Sequence, residues 1–139
     1  MNTQTNTTIV EKELPQRRVF VAFTEKTDLP FLRRFLPRGF RHCSVHINDG
    51  AAWISLEALA GYTEVFVHEV GGDFDLPNYL RTQGMTVVEG NLRRDDKAKK
   101  IVLPAFYSCV EEVKRILGIH RSLIVTPTQL HRFLTKEVR

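Results

Sequence analysis

Strand-like and helix-like segments are segregated along this chain. Segments rich in β-branched and aromatic residues fill its first two thirds, whereas the two segments with the clearest helix-start signals both lie in the last forty residues. A run of strands followed by helices is typical of an α+β domain. The sequence therefore predicts an antiparallel sheet packed against helices.

The predicted strands are residues 17–23, 40–47, 52–57, 64–70 and 85–89. The second and third are joined by Asn48-Asp49-Gly50, which predicts a hairpin because these residue types tolerate positive φ. A single helical turn is predicted over 31–36 and a short helix over 76–83. Trp53, Phe66 and Phe106 are interpreted as core aromatics.

Two capping boxes mark the helices near the C-terminus. In Ser108-Cys109-Val110-Glu111 a serine is followed three residues later by a glutamate, and Gly118 supplies the stop. Thr126-Pro127-Thr128-Gln129 repeats the pattern with proline at the first helical position. The apolar positions with helical spacing are Val110, Val113, Ile116 and Leu117 in the first helix and Leu130, Phe133 and Leu134 in the second.

Length and composition limit the function classes. The 139 residues fit one domain, which is expected over residues 15–139 after a polar arm at residues 1–14. Hydrophobic residues make up 42% of the chain, which excludes wholesale disorder. No apolar run approaches the roughly 18–20 residues of a membrane span, and no secretory signal is recognised, so a cytoplasmic location in the producing cell is expected. The net charge of +4 comes from scattered basic residues, which disfavours nucleic-acid binding.

The chain contains two cysteines, Cys43 and Cys109. They are too few for a disulfide scaffold or a zinc finger of the Cys-x-x-Cys type, so free thiols are expected. If Ser108 is the N-cap, Cys109 opens a helix beside unpaired N–H groups and the positive end of the helix dipole. This environment stabilises the thiolate, which is the nucleophilic form of cysteine. The alternative is that Cys109 is a buried apolar residue.

A thiolate nucleophile needs an imidazole within hydrogen-bond reach. His42 and His46 share one face of the second predicted strand, with Cys43 on the opposite face. The hairpin brings Ser55 and Glu57 toward this region, where Glu57 is able to accept from an imidazole N–H; which residue does so depends on the register. A metal site formed by Cys43, Cys109 and some of the histidines, among which only His42 and His46 have a zinc-ligand spacing, is the less favoured alternative.

Three stretches carry a family resemblance. The first is residues 40–57, which contain the sequence RHC and a tryptophan. The second is residues 107–119, which contain SCV, VK and LGI. The third is residues 126–130, with the sequence TPTQL. In their order the chain resembles the circularly permuted branch of the NlpC-type, papain-like cysteine peptidases, and is similar to small phage or prophage proteins. In the usual papain-like order the cysteine helix precedes the strands, whereas in the permuted branch it follows them. The likeness extends over about residues 17–135.

The resemblance implies a permuted papain-like fold with Cys109 as nucleophile, His42 as its base and Glu57 as the orienting residue. It also implies a thiol hydrolase or acyltransferase that needs no metal or organic cofactor. The expected substrate is an amide, in a peptide or a peptidoglycan-like molecule, or an ester or thioester. Cys43 is not expected to be catalytic, because neighbouring strand residues point to opposite faces.

The alternative hypothesis is a non-catalytic structural or docking component of a phage particle that retains the fold. Its partners are then other phage structural proteins, and its location is the virion. A nucleic-acid binder is a third and weaker alternative.

Overall fold

The computed structural model describes residues 17–26, 32–59, 61–92 and 108–137. The strands are β1 (Arg18–Thr24), β2 (His42–Asn48), β3 (Ala52–Leu59), β4 (Tyr62–Gly71) and β5 (Thr86–Gly90). The helices are α1 (Leu32–Phe35), α2 (Leu76–Thr82), α3 (Cys109–Leu117) and α4 (Pro127–Glu137). The predicted arm at 1–14 and Phe106 lie outside the described residues.

The strands form one antiparallel sheet in the order β4-β3-β2-β1-β5. The predicted hairpin joins β2 to β3, and the Asp49 carboxylate accepts from the N–H groups of Ala51 and Ala52 at 2.9 and 2.8 Å. Its register pairs His46 with Ser55. The α+β class and the antiparallel sheet are therefore confirmed.

Helices cover both faces of the sheet. One buried cluster joins strand residues Val19, Val21, Phe23, Cys43 and Val45 to helix residues Val110, Val113, Leu117, Leu130 and Leu134 of α3 and α4. The cluster on the other face comprises Phe20, Ala22, Trp53, Leu76, Leu80 and Val87, and includes α2. The period-2 alternation of the strands thus divides the core into an α3/α4 side and an α2 side. No helix in the described ranges is long and apolar enough to span a membrane.

Ser108 and Thr126 cap their helices as predicted. The Ser108 hydroxyl accepts from the Glu111 N–H at 3.3 Å, and Gly118 ends α3 in the left-handed conformation at φ 67°. At α4 the Thr126 hydroxyl accepts from the Gln129 N–H at 3.3 Å, and the Gln129 side chain accepts from the Thr126 N–H at 3.0 Å. These caps fix the first residue of each helix, so Cys109 is the first residue of α3.

Strand β4 is an edge of the sheet and is largely exposed. Val65, Phe66 and Val67 are 61%, 53% and 59% exposed. The interpretation of Phe66 as a core aromatic is therefore wrong, whereas Trp53 is buried, with its indole N–H donating to the Phe74 carbonyl at 2.9 Å. Alternation predicts a strand but not whether a helix covers it, and in the described ranges the buried clusters include no β4 residue.

Candidate active site

Cys109 lies where the capping box predicts, at the N-terminus of α3. Ser108 has an extended backbone, and its carbonyl accepts from the Glu112 N–H at 3.0 Å while its hydroxyl engages Glu111. The Cys109 side chain is half-buried and packs against the core cluster on the α3/α4 side of the sheet. The sulfur is therefore beside the positive end of the helix and remains partly accessible.

His42, the first residue of β2, lies beside Cys109, and hydrogen bonding and charge between the two side chains raise the pKa of His42 and contribute to lowering the pKa of Cys109. It pairs with Thr24 of β1, but the ladder between β2 and β3 begins only at Val45. The end of the strand thus pairs with β1 only, so regular strand pairing does not fix the direction of the His42 side chain. This explains how His42 reaches Cys109 of α3, although α3 packs on the face of β2 that carries Cys43.

Glu57 contacts the same imidazole. Its Oε1 lies 2.9 Å from His42 Nε2, which is an ion-pair distance, although the carboxylate is displaced from the direction of a linear N–H hydrogen bond. Continuing the β2–β3 register places Glu57 opposite Ser44 and one diagonal step from His42. The structure therefore brings together the three residues proposed for catalysis, Cys109, His42 and Glu57.

Cys43 is a fourth member of the site that sequence reasoning set aside. Its side chain is 1% exposed and lies in the cluster against which Cys109 packs, and its hydrogen bonding lowers the pKa of Cys109. The alternation argument correctly placed Cys43 in the apolar layer. Alternation does not show, however, that the apolar face of α3 covers the same layer. This packing brings Cys109, the first residue of α3, onto Cys43.

The charge states of Cys109, His42 and Cys43 depend on one another. Hydrogen bonding from Cys43, and then the hydrogen bond and charge of His42, outweigh burial and lower the pKa of Cys109 to about 4. Burial favours a neutral imidazole, but the hydrogen bond and negative charge of Cys109, assisted by Glu57, raise the pKa of His42 above its ordinary value. The hydrogen bond to Cys109 and burial raise the pKa of Cys43. These shifts favour a thiolate–imidazolium pair beside a protonated thiol.

His46 belongs to a separate polar network on the α2 side of the sheet. Its Nε2 is 3.0 Å from the Ser44 hydroxyl and its Nδ1 is 2.6 Å from the Ser55 hydroxyl, which is also 2.6 Å from His68 Nε2. Burial and the charge of His68 lower the pKa of His46 to about 4, so this imidazole is neutral. Ser55, an alternative orienting residue, therefore contacts His46 and His68.

Two further features bear on ligand binding. A cavity of about 460 Å³ is lined by residues including Trp53, Phe74 and Arg81, and by none of the four site residues. In the described part of the chain, no group of three or more His, Cys, Asp or Glu residues is arranged to hold a metal ion.

Comparisons with protein families, with curated proteins and with solved structures found no match to this chain.

Proposed function

We propose that this protein is a thiol hydrolase or acyltransferase in which Cys109 is the nucleophile and His42 the general acid and base. The observation that carries the proposal is the position of Cys109 at a helix N-terminus beside the imidazole of His42, whose Nε2 lies 2.9 Å from the carboxylate of Glu57 on the neighbouring strand. A buried apolar cysteine has no need of either partner. The combination supplies a nucleophile, a proton donor and an orienting group.

The reaction begins with attack of the Cys109 thiolate on a carbonyl carbon. Protonated His42 donates its proton to the leaving amine or alcohol, and a thioester remains on the sulfur. His42, now neutral, accepts a proton from water or another acceptor that attacks the thioester. Glu57 is a positioning residue, because it contacts the imidazole.

The start of α3 provides donors for the negative oxygen of the tetrahedral intermediate. Ser108 engages the N–H groups of Glu111 and Glu112, so the N–H groups of Cys109 and Val110 remain at the tip of the helix as the candidate oxyanion hole. The proposed substrate is an amide, in a peptide or a peptidoglycan-like molecule, or an ester. The order of strands before the cysteine helix supports a permuted papain-like arrangement.

An activated ester tests the chemistry without knowledge of the natural substrate. The reduced protein is mixed with p-nitrophenyl acetate, and nitrophenol release and protein mass are followed together. We expect a burst stoichiometric with protein and an acetyl thioester on Cys109. Cys109→Ala should abolish both, and His42→Gln should slow the reaction by about 10²- to 10⁴-fold.

His120→Gln is the matched control, because His120 is exposed and follows α3 in the chain. It should react like the wild type. The proposal is overturned if the burst persists in Cys109→Ala, or if the folded wild type carries the acyl group elsewhere. Peptide amides and peptidoglycan fragments, analysed by mass spectrometry, then identify the class of bond cleaved.

The exposed surface of β4 favours a second candidate function. Val65, Phe66 and Val67 give this edge strand an apolar exterior that suits docking to another protein. By the resemblance, the partner is another component of a phage particle. This function is supported if the protein cosediments with purified virions and if cosedimentation is lost in Phe66→Ser but retained in Cys109→Ala. A wild-type protein that does not cosediment with virions opposes it.

A further inference from the structure

The acyl-transfer chemistry does not use the thiol of Cys43. Cys43 is 1% exposed, whereas Cys109 is half-buried. Reagents in solution therefore reach the sulfur of Cys109 more readily than that of Cys43. Cys109 nevertheless packs against the buried cluster that contains Cys43, and hydrogen bonding between the two side chains shifts the pKa of both. One accessible thiolate in contact with one protected thiol is an arrangement suited to oxidation followed by disulfide formation.

We infer that a hydroperoxide oxidises Cys109 to a sulfenic acid, which Cys43 then converts to an intramolecular Cys43–Cys109 disulfide. The inference deepens the proposed function, because it assigns a reversible modification to the same nucleophile. It rests on the Cys109 thiolate and not on acyl transfer, so the two proposals can fail separately.

The first step is a two-electron oxidation of sulfur. The Cys109 thiolate attacks the terminal peroxide oxygen, an S–O bond forms and the O–O bond breaks. The peroxide is reduced to an alcohol, or to water if it is hydrogen peroxide, with a proton that His42 supplies. The negative charge on Cys109 is lost as the S–O bond forms, because the transferred oxygen keeps its hydrogen and the product is the neutral sulfenic acid.

The second step follows from this loss of charge. The pKa of Cys43 is raised first by its hydrogen bond to Cys109, then by burial and by the charge of Cys109, with a smaller effect of Glu112. Oxidation removes the contributions of the Cys109 thiolate, so Cys43 gives up its proton more easily. The Cys43 sulfur attacks the Cys109 sulfur, an S–S bond forms, the S–O bond breaks, and the hydroxyl leaves as water with the Cys43 proton.

Peptide mapping of the full chain tests the inference. Reduced protein is treated with hydrogen peroxide, digested without reductant and analysed by mass spectrometry. We expect a cross-linked peptide that joins Cys43 to Cys109, loss of iodoacetamide labelling at Cys109, and recovery of that labelling with dithiothreitol. Cys43→Ser, which keeps a hydroxyl donor beside the sulfur, should instead trap the sulfenic acid as a dimedone adduct on Cys109.

Peptides from the wild type decide the matter even if the variant does not fold. A wild-type protein that accumulates a dimedone adduct or a sulfinic acid on Cys109, with no disulfide, overturns the inference. A disulfide only between two chains overturns it as well. A negative ester burst together with the intramolecular disulfide refutes acyl transfer alone, and a positive burst without the disulfide refutes only the inference.

Discussion

Replacement of Cys43 by alanine should change the acidity of Cys109. In the wild type, the thiol of Cys43 is the largest influence that lowers the pKa of Cys109 to about 4. A hydrogen bond to a charged group contributes about 1.5–3 kcal/mol, and about 1.4 kcal/mol corresponds to one pH unit. Cys43→Ala should therefore move the titration midpoint of Cys109 upward by about 1–2 pH units, whereas Cys43→Ser should move it less.

The assay is the rate of iodoacetamide labelling at Cys109, located by peptide mapping, as a function of pH. At pH 6 a thiol with a pKa of about 8.5 is roughly 0.3% ionised, whereas Cys109 is almost fully ionised. The ionised fraction thus favours Cys109 by about 300-fold, but its lower basicity reduces intrinsic nucleophilicity by about 100-fold. The absolute rates are then similar, and the shape of the profile is the informative quantity.

Cys109 should label at a nearly constant rate between about pH 5 and 8, whereas an ordinary thiol gains about tenfold per unit below its pKa. His42→Gln should also shift the midpoint upward, and His120→Gln should leave it in place. A wild-type profile that still rises tenfold per pH unit through neutrality contradicts the ion pair. An unchanged midpoint in a folded Cys43→Ala protein contradicts the role of Cys43.

Three further predictions concern charge and capping. His46→Gln should reduce the acid sensitivity of folding, as measured by urea unfolding at several pH values. The His46 imidazole is buried and its pKa is lowered to about 4, so it stabilises the fold at pH values above the unfolded pKa near 6.5. This contribution of about 3 kcal/mol is lost as the pH falls from 6.5 to 4. Ser108→Ala and Thr126→Ala should each lower the free energy of unfolding by about 1 kcal/mol. Only Ser108→Ala should alter iodoacetamide labelling of Cys109, and equal effects of the two variants on labelling contradict the local role of Ser108. Glu57→Gln should slow the ester burst and shift its pH profile, whereas Glu64→Gln on the neighbouring strand should do neither, and identical profiles for the two variants refute the positioning role of Glu57.

The parts of the fold that depend on local chemistry were predictable. Ser108 and Thr126 mark helix starts because a side-chain oxygen satisfies a particular N–H, and this requirement is visible in four consecutive letters. The Asn48-Asp49-Gly50 turn is equally local. The exposure of Phe66 was not predictable, because it depends on which elements cover β4, and alternation within a strand contains no information about its neighbours.

The site shows the same division. Cys109 at the helix tip follows from the cap alone, but its contact with Cys43 requires α3 to dock on one particular face of β2. The contact between His42 and Glu57 depends on the hairpin register, which the turn sequence limits without fixing. Strict alternation also failed at His42, since β2 pairs with β1 but not yet with β3 at that position.

The sulfur at the tip of α3 is synthesised after strands β1 to β5. A nascent chain that has emerged only as far as β5 already carries the imidazole and the carboxylate, but its single thiol is Cys43, which no helix yet covers. Docking of α3 then does two things in one event: it creates the reactive ion pair and withdraws the earlier sulfur from solvent. On the ribosome, therefore, the chain should gain its nucleophile only when α3 docks on the sheet.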